Sequence, residues 1–544
     1  MKRYMTNETG MATLIALLMV AMLTLIGLAA ISNSDDEIQI AGNDLQEMRA
    51  FYAAESGLEL AAAALSSHYD SLNAPPSTMP AGKEDLNDCQ LYYSVQDEGP
   101  SAMKRLTTGS LAGLQALTKA YKVNSVGESQ IENARVMLSQ HYEVSLIPIF
   151  QFAVFYENDL EINPGPFMTL GGRVHTNSNM YLQSGNGLDI DGTVTSAGHI
   201  YHGRKGPGGV SNADVQIKDA NGSYQSMMEG AGWLDATDSH WYDSSTARWL
   251  GRVQDAAHGQ QKLQLPLNGS AGDPHQLIDR ATVSSDSYEN KATLKIINGT
   301  AQAKVGGVWT DVTASLVADG VLSHGDNLFY DGREKTNVDA TRLDVGKLYD
   351  SPYAPSNGVI YFSDNTTDFP ALRLEDGAEL KQGLTVASEN PVYTLGNYNS
   401  VNKKPAALIA DAVTFLSSSW NDANSTLNLS NRIPVPTTVN AAFLTGNTET
   451  TNGSYNGGLE NLPRFLEDWT GVTFTLKGSM VNLWNSRQAN SDWGGNYYAP
   501  PNRNWSYDTD FDDPSKMPPE TPVVKVHYRT GWQEEYVGPI DSGA

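Results

Sequence analysis

The chain has 544 residues, room for two to four domains with proper cores, and a formal net charge of −26. So acidic a balance, with no basic stripe to neutralise phosphates, excludes nucleic acid and anionic lipid as expected partners. The single cysteine, Cys89, excludes an internal disulfide and reads as a small buried residue.

Lys2 and Arg3 precede Gly10, and uncharged residues then run from Met11 through Ile31 before Asp35, Asp36 and Glu37. As a helix that run is about 31 Å long, which matches a hydrocarbon core of about 30 Å. The basic residues hold the front end in the cytoplasm and send the rest outward. An ordinary secretory signal has a shorter apolar region, about 7–15 residues, although Leu28-Ala29-Ala30 resembles a weak cleavage site. No proline occurs before Pro75. Ile38, Ala41, Leu45, Met48, Tyr52, Leu58, Ala61, Ala62 and Leu65 continue the spacing of three and four. The pattern predicts one helix over 11–68, half embedded and half amphipathic. Gly27, Gly42 and Gly57 weaken it by about 1 kcal/mol each relative to alanine.

The short basic leader, the Gly10–Met11 junction, the apolar run and Ala50-Phe51-Tyr52-Ala53-Ala54-Glu55-Ser56-Gly57-Leu58-Glu59 together resemble the N-terminus of PilX-type minor pilins, which are type IV pilus assembly proteins. The resemblance implies that prepilin peptidase cuts after Gly10 and that the new amine of Met11 is methylated; Met11 departs from the commoner phenylalanine. Major pilins carry a glutamate five residues into the mature chain, where this sequence has Ile15. Such a carboxylate costs about 2.5–3.5 kcal/mol at bilayer depth unless paired. In the family it is thought to pair with a neighbouring subunit's amine, and Ile15 cannot do so. Likeness to glutamate-less minor pilins, and to the large pseudopilin at the tip of secretion filaments, implies a cap or initiation role. Ile15, Phe51, Tyr52 and Glu55 are then the filament-packing residues. The implied partners are other major and minor pilins, prepilin peptidase, the pilus assembly machinery of the inner membrane and, at a tip, an adhesin or surface glycan. The implied location is the bacterial inner membrane before assembly and the pilus or cell surface afterwards. A plain anchor helix without filament contacts is the alternative.

A turn-rich connector, Asn73 to Pro80, ends the helix. Cys89–Val95, Ala120–Val126 and Ala134–Ser145 read as strands of a small antiparallel sheet, with a helix around Ser110–Thr118. From Pro148 short apolar runs are punctuated by Gly, Asn, Asp and Thr. Leu170-x-Gly172-x-Val174 with Met180-Tyr181 returns as Ile190-x-Gly192-x-Val194 with Ile200-Tyr201, a period of twenty residues. Phe150, Phe152, Val154 and Leu160 share that register without the glycine. Stacked β rungs fit this repeat, and so does a β-sandwich with evenly spaced hairpins. Residues 213–345 read as an insertion or subdomain. Trp233, Trp241 and Trp249 there invite sugar stacking, but such side chains more often fill cores. Ala292–Ile297 and Val308–Val312 predict a hairpin.

Further strands are predicted at Val359–Phe362, Leu372–Leu374, Leu384–Val386, Val392–Thr394 and Ala406–Phe415. Leu384-Thr385-Val386 with Asn390 to Asn399, Asp411 and Leu416 through Trp420 resembles a segment of the large outer bodies of some PilX-like proteins; it implies no catalysis. Leu462, Phe465, Leu466 and Trp469 share a helical face, and Val472-x-Phe474-x-Leu476 alternates as a strand. Trp493, Tyr497, Tyr498, Trp505 and Tyr507 form an aromatic-rich segment that covers the body or presents a contact surface.

No nucleophile-elbow, zinc-protease or P-loop motif occurs, so the reading is a structural protein and not an enzyme. His175, His199 and His202 invite a metal site, but in a strand residues 199 and 202 turn to opposite faces. Asp508, Asp510 and Asp512 open like a calcium loop, yet Asp513 stands where an EF-hand needs glycine and Pro519 where it needs glutamate. A different calcium site or a solvated acidic turn remains, and no other cofactor is expected. The expected fold is α+β, with a leader (1–10), a pilin-like helix (11–68), a small antiparallel β domain (69–147) and a large mainly-β body. That body divides into 148–212, 213–345 and 346–544, built as a solenoid or sandwich. The leading function is a minor pilin that initiates or caps a type IV pilus. The contrasting one is a membrane-anchored or secreted β-helical protein that binds or cleaves polysaccharide.

Overall fold

The computed structural model describes residues 8–72, 75–131, 134–206, 209, 211–267, 272–451, 454–492 and 494–535. Residues 1–7 of the leader, Asn73 and Ala74 of the connector, and Trp493 lie outside the described residues.

The first helix, α1, runs unbroken from Glu8 to Leu72, roughly 97 Å at 1.5 Å per residue. Its large apolar side chains are exposed through Leu45; burial begins at Gln46 and Ala50. The predicted apolar stripe is continuous in spacing but winds round the helix. At 3.6 residues per turn, Ile38, Ala41, Leu45, Met48 and Tyr52 point roughly opposite to Ala50, Ala54, Ala61 and Leu65. The second group packs on the sheet, whereas Ile38, Leu45, Met48 and Tyr52 stay in the open. The helix is therefore apolar on two sides, not one.

Small residues bring α1 close to the sheet. A Cβ on Gly57 would fall on the Ser125 hydroxyl, and one on Gly127 would land on the Ala50 carbonyl oxygen. Leu58, Leu65 and Tyr69 fill the rest of the interface, and the hydroxyls of Tyr69 and Tyr121 share a buried hydrogen bond of 2.7 Å. The sheet is antiparallel, with strands β1 (Ala81–Leu86), β2 (Cys89–Asp97), β3 (Ala102–Arg105), β4 (Gln115–Ser129) and β5 (Arg135–Pro148). Its order is β1-β2-β4-β5, with β3 beside β4, and the strand Val523–Glu535 completes it on β5. The small domain thus takes one strand from far outside 69–147. The helix predicted around Ser110–Thr118 is absent; a turn occupies Ser110–Gly113 and β4 follows. Gly109 and Gly113, at φ of 71° and 98°, fix that turn in the left-handed region.

The body is a parallel β-solenoid, not a sandwich. Val154–Tyr156, Leu160–Ile162 and Met168–Leu170 form one three-sided rung. Val154 pairs with Val174 and Val174 with Val194, while Leu160 pairs with Met180 and Met180 with Ile200. The period of twenty is one turn of the coil. Glycine recurs in it because a Cβ on Gly192 would fall on the Gly172 carbonyl oxygen one rung below.

The coil does not follow chain order. After Val253–Gln254 at one end, the chain crosses the molecule and restarts at Leu294–Ile297 at the other end. It then winds back through Val359–Ser363, Leu384–Ser388, Ala406–Ala410 and Ala442–Thr445 to Met480–Asn482, which pairs in parallel with Val154–Tyr156. The two coils meet in the middle as one twelve-stranded sheet. Segments 148–212, 213–345 and 346–544 all contribute strands to it. That sheet is covered on both faces, inside by Val154, Leu384 and Leu408, outside by Leu277, Ile278, Tyr288, Ile147 and Val524. Its strands are accordingly apolar without alternation, as doubly covered parallel strands are.

Several predicted elements shift within this plan. Leu294–Ile297 pairs with Thr300–Val305, which pairs in turn with Val308–Asp311, so the predicted hairpin has a strand between its arms. The run 406–415 is two strands, Ala406–Ala410 and Val413–Leu416, that turn a corner at Asp411. Leu462, Phe465, Leu466 and Trp469 are buried, but only Leu459–Asn461 is a 3-10 turn and the rest follows the solenoid wall. Their spacing marked core residues and misled about the helix.

Candidate functional site

The free half of α1 is the first candidate surface. Gly10 is exposed within the helix, as are Met11 and Ile15, and this helix is long and apolar enough to cross a membrane. Tyr52 and Glu55 are also exposed. Phe51 is half buried, with its ring 5.9 Å from that of Trp532 on the C-terminal strand, so part of it is occupied within the chain. Ile15 and Tyr52 are separated by about 55 Å along the helix. The predicted packing residues therefore mark one long rod and form no single cluster. Arg529 forks onto Glu59, donating from Nη2 to Oε2 at 2.7 Å, and holds that carboxyl below its ordinary range.

The histidines do not converge. His175 is fully buried, with Nδ1 at 2.7 Å from the Thr195 hydroxyl and Nε2 at 3.0 Å from Asn177 Oδ1. His199 lies 3.5 Å from Asp255, and His202 stacks face to face on Trp233. Trp241 and Trp249 lie in the core on the helix Trp241–Trp249, so the three tryptophans present no sugar-stacking row. Burial pushes the His175 imidazole down to about 4, whereas in an unfolded chain it titrates near 6.5. Between those values the unfolded chain carries the extra proton, so stability falls as pH falls, by up to about 1.4 kcal/mol per pKa unit. Replacing His175 by Gln is expected to flatten this part of the pH dependence in urea unfolding between about pH 7 and pH 4.5. A wild-type slope in the variant would mean that His175 is charged in the fold.

Asp508 is buried and caps the turn Thr509–Asp512, accepting from the Asp510 amide at 3.2 Å. Lys403 reaches both Asp508, at 2.5 Å, and Asp510, at 2.6 Å, while Lys516 pairs with Asp510 at 3.0 Å. These ammonium groups pull the Asp510 carboxyl down to about 2. Asp512 accepts from the Tyr507 hydroxyl at 3.0 Å. The cation between the first two carboxylates is thus a lysine, and the described residues contain no group of three or more His, Cys, Asp and Glu arranged to hold a metal.

Sequence reasoning missed a polar cavity of about 260 Å³ where the two coils meet. Tyr156, Asp159 and Glu161 come from the first rung, Lys205 from the third, and Asn447, Thr450 and Asn482 from the returning coil. Three distant segments supply it, so no local spacing announces it. Lys205 sits 3.0 Å from both Asp159 and Glu449. Burial raises the Glu161 carboxyl, against a lowering hydrogen bond from Thr450. Its Oε2 is enclosed and has no hydrogen-bond partner among the described residues.

The PilX N-terminal family model matches residues 10–59, the stretch containing the Gly10–Met11 junction and the Phe-Tyr-Ala-Ala-Glu block. No curated protein matches the sequence. Among solved structures, the competence-associated pilin ComZ from Thermus thermophilus aligns over 90% of this chain and 97% of its own, at 10% identity and a TM-score of 0.27. At that score the likeness carries no weight for the body.

Proposed function

We propose that this chain, whose α1 begins as a PilX-type N-terminus, is a minor pilin that initiates or caps a type IV pilus. The observation that carries the reading is α1 itself. Its large apolar side chains from Met11 to Ile40 are exposed and join no hydrophobic core among the described residues, and the opposite side of its later half is already used to hold the sheet. Such a rod suits a bilayer first and then a bundle of like helices. Prepilin peptidase would release the leader at Gly10 and methylate Met11, with other pilins and the inner-membrane assembly machinery as partners. The solenoid is bulky beside a single helix, which favours the tip, where one copy has room and the body is displayed for adhesion or docking. On this reading the chain is a structural subunit and not an enzyme.

Mass spectrometry of the mature N-terminus is the direct test. A methylated Met11, with the chain recovered in sheared filaments, is expected. An intact Met1 retained in the membrane fraction would mean a permanent anchor. The parallel solenoid favours a second reading, a membrane-anchored or secreted β-helical protein acting on polysaccharide. A mature chain starting at Ile31 would select its secreted form.

A further inference from the structure

We propose that the cavity at the seam between the two coils binds one neutral, hydroxyl-rich ring, a single sugar unit of a glycan. The inference deepens the reading of a displayed body and rests on it for its setting. Binding is measured in solution without filaments, so its failure leaves the pilin reading standing.

Charge narrows the occupant first. Lys205 is held between Asp159 and Glu449, so the cation is matched within the site. A phosphate or sulfate would meet Asp159, Glu161 and Glu449 with that lysine already engaged. A metal ion would have to displace the same ammonium. A neutral ligand faces neither obstacle.

Hydrogen bonding narrows it further. Glu161 lines the cavity and is 3% exposed, and its enclosed Oε2 has no hydrogen-bond partner among the described residues. A buried acceptor left unmet carries a desolvation cost, which a ligand O–H donor reaching it would recover. The Asn482 amide donates to the carbonyls of Thr445 and Trp484, each at 2.9 Å, and so turns its oxygen to acceptor duty. Thr448, Ser178 and Asn158 add hydroxyl and amide groups around the mouth. A ligand that both donates and accepts at many points fits this lining, and sugar hydroxyls do both. Size agrees: about 260 Å³ equals roughly nine waters at about 30 Å³ each, which is room for one ring.

The test titrates the full-length protein in detergent micelles with glucose, galactose, mannose, N-acetylglucosamine and N-acetylgalactosamine. Calcium chloride and sodium phosphate are run as separate arms. At least one sugar is expected to bind with a Kd of about 1 mM or tighter, weakened at least about tenfold by Glu161→Met. Because that substitution touches a buried rung, Asn158→Trp on the exposed rim supplies an independent variant, expected to block the mouth by bulk. The proposal is overturned if none of these sugars binds, if binding persists in Asn158→Trp, or if calcium or phosphate binds in their place and Asn158→Trp abolishes that binding.

Discussion

Gly192→Ala is expected to be among the most damaging single changes in the body, whereas Gly171→Ala is expected to be nearly silent. A methyl at 192 would fall on the Gly172 carbonyl oxygen of the rung below. That oxygen belongs to backbone stacked in a parallel ladder, so it cannot swing aside as a flexible side chain would. Relief requires separating two rungs, and Val174–Thr176 and Val194–Ser196 are paired immediately beside the contact. Overpacking of this kind costs about 1–3 kcal/mol, and a rigid backbone obstacle belongs at the upper end. Among the described residues, and apart from its chain neighbours, Gly171 has no atom within 4 Å of the position its Cβ would take, so alanine there is expected to shift stability by no more than about 0.5 kcal/mol. Urea unfolding of the two variants beside the parent checks the contrast. Equal losses would mean that stacking does not set the need for glycine.

The same pair of rungs explains why part of the fold was legible in advance. A period of twenty survives in Leu170-x-Gly172-x-Val174 and Ile190-x-Gly192-x-Val194 because neighbouring turns of a coil share one environment. The apolar run of α1 is legible for a similar reason, since every residue there faces the same surroundings. What stays hidden is set by contacts between remote segments. The returning coil enters the stack beside Val154–Tyr156 from the opposite end of the body, and local spacing carries no record of that direction. The helical face read into Leu462, Phe465, Leu466 and Trp469 identified buried positions correctly. Burial in a solenoid wall and burial along a helix select the same residues, so spacing over one short stretch could not separate them. The seam cavity is hidden most completely, because Glu161, Lys205 and Asn447 become neighbours only once both coils are wound.

The C-terminal strand is the other long-range closure, and a chain stopped after Pro522 is expected to lose its N-terminal module while keeping its solenoid. Val523–Glu535 pairs with β5 along nearly its whole length, from Val523 opposite Pro148 to Glu535 opposite Met137. Val524 is fully buried where the module meets the body, and removing it alone forfeits about 1.5–3 kcal/mol. Arg529 no longer clamps Glu59, and Trp532 no longer meets Phe51. Lys525, whose burial pushes its ammonium down to about 8, also leaves the interface near Ser66. β5 then becomes a bare edge, which invites pairing with other chains. Limited proteolysis should cut first within 135–148 and around α1, while strands such as Leu384–Ser388 and Ala406–Ala410, buried on both faces, remain protected. Equal protection of both regions in the shortened chain would show that the helix and the five remaining strands hold without the returning strand, and that the two segments are coupled only by proximity.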